Sequence, residues 1–254
     1  MIPHALSGLT FIERFYTYPT LESTNETARK MLQRPHRGFF CIQADRQTAG
    51  KGRRGGPYFS DSSGGLWVSL VTKLSDPSKH FNYNRALSLA IATSLEQCGR
   101  EYPIAVKWPN DIYWGDKKIC GILLESHPRH SDLLILGFGV NVNIPAGEFP
   151  ETLRTIATSV AIETGKQCSI SALLRVVLKQ FVLFLDTDQE KVHALYTSRL
   201  YRRGAYIGIN GMTGIFSSVA SDGQLELINN GIPVLVNSGS PVFLDSKDDS
   251  SWSR

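Results

Sequence analysis

The chain has 254 residues, 42% of them apolar and 20% charged, with 27 Lys and Arg against 23 Asp and Glu for a formal charge of +4. This is the balance of a globular domain with a small appendage, able to bury a core without disulfides or metals, and it excludes a disordered chain. The modest positive excess suits anionic ligands but is too small to argue for nucleic acid.

Met1–Thr10 lacks the charged start and apolar run of a signal peptide, and no apolar stretch reaches the roughly 18 residues of a membrane span. Phe11–Tyr16 then reads as a first strand. Ser23 opens a helix, with Glu26 completing a capping box and Ala28, Met31 and Leu32 forming the apolar stripe. Phe39–Ala44 is a short buried strand. Asp45–Ser63 is a long loop, rich in Gly, Arg and Ser, of the kind that is functional or mobile. Leu66–Thr72 is a strand and Tyr83–Gln97 a helix. Ile104–Lys107, Asp111–Trp114, Lys118–Glu125 and Leu133–Asn141 are strands whose short connections make the sheet partly antiparallel. Thr152–Glu163, Ser171–Leu185 and Glu190–Leu200 have helical spacing. After Gly204 come short strands at 205–209, 214–220, 224–228 and 232–236, with Asp222-Gly223 and Asn230-Gly231 turns. The organisation expected is a domain over 1–203, a small β-barrel or meander over 204–244 and a disordered tail over 245–254.

Cys41, Cys98, Cys120 and Cys168 form no C-x-x-C pair, so reduced thiols are expected rather than a zinc site or a disulfide framework. His127 and His130 flank Pro128 in an expected turn, and no G-x-S-x-G elbow supports serine hydrolysis. Trp67 and Phe138 read as core.

Three segments carry chemistry. Gly50-Lys51-Gly52-Arg53-Arg54-Gly55 formally satisfies G-x-G-x-x-G, but five residues separate it from the predicted strand and Gly56-Pro57 stand where a helix should begin. No G-K-[ST] closes a P-loop. What remains is a basic glycine loop, either solvated or gripping a carboxylate or phosphate. Lys107-Trp108-Pro109-Asn110-Asp111 precedes Lys117-Lys118-Ile119-Cys120-Gly121-Ile122-Leu123. Here the lysine pair suits a hairpin turn, with Lys118 at the mouth of a strand as either an inert cation or a charge on an acyl oxygen or phosphate. Asn110 and Asp111 are turn formers or a polar clamp. Gly137-Phe138-Gly139-Val140-Asn141 places two glycines in a strand, a sign of close approach by a backbone or a ligand.

Taken together, Ser23-Thr24-Asn25, Gln47-Thr48-Ala49 with the glycine loop, Lys107 to Asp111, Lys118 with Gly121-Ile122-Leu123, and Gly139-Val140-Asn141 resemble, in this order, the catalytic core of biotin protein ligases, also called biotin–[acetyl-CoA-carboxylase] ligases. Ala157-Thr158-Ser159 and the C-terminal strands extend the likeness. The resemblance implies an α+β fold, a mixed-sheet domain of the biotin/lipoate ligase type followed by an SH3-like barrel. It implies a cytoplasmic enzyme that uses ATP and Mg²⁺ to form biotinyl-5′-AMP. The biotin then passes to a lysine on a biotin carboxyl carrier domain of acetyl-CoA carboxylase or another biotin-dependent carboxylase. On this likeness Lys118 and Arg53 are catalytic. Ser23, Thr24, Asn25, Gln47, Lys51, Gly52, Arg53, Lys118 and Gly121 bind biotin, with its apolar parts on Leu123 and Leu124. Arg54, Trp108, Asn110 and Asn141 hold the adenylate, Trp108 near the adenine. No protein cage for metal is implied. Repressor members of the family carry a helix-turn-helix domain; this chain begins at the core, so no DNA and no membrane are expected as partners. Family members pair edge to edge through their sheets, which leaves a homodimer open.

The chain departs from the family pattern where Lys51 replaces an arginine, losing the bidentate fork, and where Gly56-Pro57-Tyr58 replaces a more basic, Trp-containing run. A lipoate or octanoate ligase or transferase of the same fold is the rival enzyme, and a basic nucleic-acid-binding module is the rival from another class.

Overall fold

The computed structural model describes residues 12–33, 39–74, 76–99, 103–127 and 130–244. Met1–Thr10, Phe11, Pro128 and the tail 245–254 lie outside the described residues. The strands are β1 (Arg14–Leu21), β2 (Phe40–Gln47), β3 (Gly65–Lys73), β4 (Ile104–Lys107), β5 (Asp111–Trp114), β6 (Lys117–His127), β7 (His130–Asn141), β8 (Tyr206–Ile209), β9 (Met212–Val219), β10 (Leu225–Asn229), β11 (Ile232–Val236) and β12 (Val242–Phe243). The helices are α1 (Thr24–Met31), α2 (His80–Leu95), α3 (Val160–Thr164), α4 (Ile170–Asp186) and α5 (Gln189–Ser198).

Seven strands form one sheet in the order β1-β2-β3-β7-β6-β5-β4. β1 and β2 are parallel, because α1 carries the chain across between them; every other pair is antiparallel. β3 is apolar almost throughout because both of its faces are covered. Leu66, Val68 and Leu70 join the large cluster under α2 and α4, while Val71 packs with Ala28 of α1 and with Leu32, its C-cap. β7 alternates in the same way. Leu134, Leu136, Phe138 and Val140 point into the large cluster, and Leu133 and Ile135 point to α1. Removing a leucine side chain from such a packed layer costs about 2–5 kcal/mol. The period of two then puts Ser69, Gly137 and Gly139 on the α1 face, joined by their β6 partners Leu123 and Gly121. Small side chains at these places leave room over the middle of the sheet.

The second sheet, order β11-β10-β9-β8-β12, is antiparallel. Asn210-Gly211 and Asn230-Gly231 link its hairpins with positive φ at all four residues, the conformation that two-residue turns need to follow strand twist. Ile207, Phe216, Leu225, Leu227 and Val236 belong to the same hydrophobic cluster as the first sheet.

Most predicted elements stand within a few residues. The expected helix over 152–163 is a correction. A 3₁₀ turn at Glu151–Leu153 is followed by an extended segment, and only Val160–Thr164 is α-helical. Ser159 caps that short helix by accepting from Ile162 N–H at 3.2 Å. The residues before it pair with a strand end: Lys118 N–H donates to Ile156 O at 2.9 Å and Thr158 N–H to Lys118 O at 2.9 Å. The hairpin turn ahead of β6 is Gly115-Asp116 rather than the lysine pair, with Gly115 at φ 56°.

Candidate functional site

The room above the glycines is a cavity of about 260 Å³. One end is polar and is built by the start of α1. Ser23 is the helix N-cap, accepting from Glu26 N–H at 3.4 Å. The expected capping box is half made, since the Glu26 carboxylate pairs with Arg29 instead. Capping turns Thr24 and Asn25 onto the sheet. Thr24 N–H and Oγ1–H both donate to Gln47 Oε1, at 2.7 and 3.0 Å, and Ser69 Oγ lies 2.7 Å from Thr24 Oγ1 and within hydrogen-bond distance of Asn25 Oδ1. Asn25 Nδ2 donates to Glu125 Oε2 at 2.8 Å and Leu123 O at 3.3 Å. Gly137 is required here, because a Cβ on it would fall 2.2 Å from Asn25 Oδ1. Ser23, Thr24, Asn25 and Gln47 are all buried. Gln47 Nε2 and the Ser23 hydroxyl proton make no hydrogen bond among the described residues and remain as donors to a ligand.

The other end is cationic. Lys51, Arg53, Lys107 and Lys118 line it, against the single carboxylate of Asp111. Lys118 Nζ lies 2.8 Å from Asp111 Oδ1, and its backbone is braced on both sides by Ile156 and Thr158. A register shift in the β5–β6 ladder sits beside it, between Ile112 and Tyr113. Lys107 donates to Tyr113 Oη at 3.1 Å and lies over the Tyr113 and Phe243 rings. Burial pulls its ammonium pKa down and Asp111 partly restores it. Arg53 is likewise lowered, first by burial and then by the neighbouring Arg54 charge.

The glycine loop is more ordered than its composition suggests. β2 runs to Gln47, so two residues and not five precede Gly50. The loop then closes on itself, Gly52 N–H donating to Gly56 O at 2.7 Å and Tyr58 N–H to Gly50 O at 2.9 Å. Its far arm drops Tyr58 onto the sheet between Gly121 and Gly139. There Tyr58 Oη donates to Gly139 O at 2.9 Å and accepts from Gly121 N–H at 3.2 Å. Burial holds this phenol well above its ordinary pKa.

The second sheet reaches the same cavity. Trp108 Nε1–H donates to Gly223 O at 2.9 Å, Arg53 Nη1–H to Gly239 O at 3.2 Å, and Ser240 and Pro241 complete the lining.

Of the thirteen residues expected from the sequence, eleven line this cavity: Ser23, Thr24, Asn25, Gln47, Lys51, Gly52, Arg53, Trp108, Asn110, Lys118 and Gly121. Arg54 and Asn141 do not. Arg54 sits at φ 55° on the outer side of the loop turn, and Asn141 is buried with Nδ2 donating to Thr158 O at 2.8 Å. Asn110 is a brace as much as a wall, since it exchanges hydrogen bonds with the Ile122 backbone. Leu123 lines the cavity, whereas Leu124 is one residue on, faces the opposite side and packs on the large cluster. Trp67 is buried core, and Phe138, expected to be core, also borders the cavity. Ser69, Tyr58, Lys107 and the 240–241 segment were missed. A lone serine in an apolar strand was the available signal for Ser69. Among the described residues no cluster of three or more His, Cys, Asp or Glu could hold a metal, and no helix is long and apolar enough to cross a membrane.

The model of the biotin/lipoate A/B protein ligase family matches residues 18–143. The biotin–[acetyl-CoA-carboxylase] ligase of Paracoccus denitrificans is 30% identical over 220 residues, covering 81% of this chain and 90% of that protein. The bifunctional ligase/repressor BirA of Bacillus subtilis is 30% identical over 167 residues, 65% of this chain and 51% of the relative, so the chain spans about half of that relative's length. Among solved structures, the Aquifex aeolicus biotin protein ligase in complex with biotin and ATP aligns at a TM-score of 0.78 with 26% identity, over 92% of this chain and 100% of that one.

Proposed function

Because the chain belongs to the biotin/lipoate A/B protein ligase family, we propose that it is an ATP-dependent biotin protein ligase, with the cavity above Gly137 and Gly139 as its active site. The observation that carries this reading is the division of one cavity into a hydrogen-bonding end and a cationic end. A ureido ring presents two N–H donors and a carbonyl acceptor. Gln47 Nε2 and the Ser23 hydroxyl can donate to the carbonyl, and the remaining lone pair of Ser23 Oγ can take one N–H, from side chains that are themselves buried. Its apolar parts lie along Leu123. The dithiolane ring of lipoate has no such groups, so the polar end would be left unpaired and would select against it.

The carboxylate tail then points to Lys118 and Arg53. In the first step a carboxylate oxygen attacks the α-phosphate of ATP and pyrophosphate leaves. Lys118, oriented by Asp111, offsets charge on the carboxyl and phosphoryl oxygens, and Arg53 holds the phosphate. Trp108 and Asn110 form the nucleotide side, with the indole fixed by Gly223 O. Asp111, the one carboxylate of the lining, is paired with Lys118, so Mg²⁺ would be held by the triphosphate itself and would offset part of its charge. In the second step the ε-amine of a lysine on a biotin carboxyl carrier domain attacks the acyl carbon and AMP leaves. The loop over 50–58 shields the mixed anhydride from water meanwhile. The lining supplies charge and position, with no covalent nucleophile needed.

The residues over 204–244 serve as a small C-terminal domain of the SH3-like barrel type that shares its core with the first sheet, a reading supported by β12 returning to pair with β8. The cytoplasm is the compartment where substrates and acceptor meet, and β1, the outer strand of the first sheet, offers the edge for a homodimer.

The test is transfer of labelled biotin to a carrier domain with ATP, with pyrophosphate release followed separately. The wild type should label the acceptor and prefer biotin to lipoate, and Lys118→Ala and Arg53→Ala should fall well below it. Preference for lipoate, or equal activity of all three proteins, would overturn the assignment.

A further inference from the structure

The two most accessible cysteines of the chain stand against each other, far apart in sequence. Cys98 Sγ and Cys168 Sγ are 3.8 Å apart across 70 residues. Cys98 follows the end of α2 and Cys168 immediately precedes Ser169, the N-cap of α4. α2 and α4 pack against each other, which brings the segment after one beside the segment before the other. Cys168 is also held by its backbone, its N–H donating to Asn143 Oδ1 and its carbonyl accepting from Asn143 Nδ2, both at 2.8 Å. Cys41 and Cys120, by contrast, are fully buried and burial pushes their thiols up, which makes them inert.

We propose that Cys98 and Cys168 are a two-electron oxidation site, a dithiol that a peroxide converts to an internal disulfide. The Cys168 sulfur attacks a peroxide oxygen, the O–O bond breaks, and a sulfenic acid forms as water leaves. The Cys98 sulfur then attacks the Cys168 sulfur, giving the S–S bond and a second water. Two thiols and one hydrogen peroxide thus become one disulfide and two waters. The sulfurs must close from 3.8 Å to the ~2.05 Å of a bond. Their contact, in which either thiol can be the donor, lowers the Cys168 thiol and raises that of Cys98, so Cys168 is assigned as the attacking sulfur and Cys98 as the resolving one. The closed loop runs from Cys98 to Cys168 and contains Trp108, Asn110, Lys118 and both glycines of β7. Neither cysteine lines the cavity, so oxidation closes this loop without placing a new group inside it.

Full-length protein, first reduced, is treated with hydrogen peroxide and examined by intact mass, by non-reducing peptide mapping and by thermal unfolding. The expected result is loss of two hydrogens, one crosslinked peptide pair holding Cys98 and Cys168, and a midpoint raised by roughly 5 °C that dithiothreitol reverses. Cys98→Ser and Cys168→Ser should each abolish the crosslink and the rise. Because a thiolate is the attacking species, the rate should rise with pH. Oxygen addition without a crosslink, a crosslink through Cys41 or Cys120, or an unchanged midpoint would overturn the proposal.

Discussion

The two ends of the cavity are built by different physics. At the polar end Thr24, Asn25, Gln47 and Ser69 are buried, and most of their hydrogen-bonding groups are already spent on one another. At the cationic end Lys51 and Arg53 come from a loop, Lys118 from a strand end, and the second sheet supplies the backstop. The first end is set before any ligand arrives, so it can discriminate by leaving a wrong ligand's neighbours unpaired. The second carries excess positive charge that only anionic groups can neutralise, so it acts where charge develops. If this contrast is right, substitutions at the two ends should fail in different assays.

The largest effect is expected at Lys118. Lys118→Ala removes the charge facing the reacting oxygens and leaves Asp111 as an unpaired carboxylate in a site for anions. Adenylate formation should fall about 10²–10³-fold with biotin affinity changed far less, as read by pyrophosphate release and by titration without ATP. Thr24→Val is the opposite case. It deletes the hydroxyl shared by Gln47 and Ser69 while keeping the shape, and the buried partners left behind cost about 1–3 kcal/mol. Biotin binding should weaken about 10–100-fold and the melting midpoint should drop, with turnover at saturating biotin nearly retained. Equal losses at both steps for both variants would erase the distinction between the ends. Arg53→Ala should sharpen it at a smaller scale. With its contact to Gly239 gone, the adenylate should leave about tenfold faster, measured by trapping in the absence of acceptor, while biotin alone binds as before.

The polar end was also the more legible in sequence. Ser23 followed by Glu26 announces a helix start, and the glycines at 137 and 139 announce close approach; both follow from local rules. The strands could be read because each is a short run, alternating or, as in β3, continuously apolar, bounded by turn residues. The loop was harder. Its glycine run suggests mobility, yet Tyr58 anchors it through a contact between residues 81 positions apart, Tyr58 with Gly139, that no local pattern encodes. The misassigned helix over 152–163 failed for a similar reason. Its backbone groups are taken by Lys118, whose position depends on the whole sheet. Arg54 and Asn141 carried the right chemistry in the right motifs, but the handedness of one turn and the facing of one strand end took them out of the lining.

The smallest effect expected is a pH dependence that reaches the cationic end alone. Arg85 is 2% exposed and has no carboxylate partner among the described residues. Its Nη1–H donates to His193 Nδ1 at 3.0 Å, which requires a neutral imidazole. Burial, and then the Arg85 charge, hold His193 below its ordinary pKa, against a smaller opposing pull from Glu226. The unfolded chain takes up this proton as pH falls through about 6.5, while the folded chain does so only at lower pH. Stability present above that value is therefore lost in acid, and His80, lowered by burial, adds to the same trend. Arg85 lies over the Phe81 ring, Phe81 packs beneath Gly223, and Gly223 O holds Trp108. Between pH 7 and pH 5 the melting midpoint of the wild type should fall more steeply than that of His193→Gln. The KM for ATP should rise over the same interval, while biotin affinity measured without nucleotide stays level. A parallel loss of biotin affinity would mean that the two ends share one support after all.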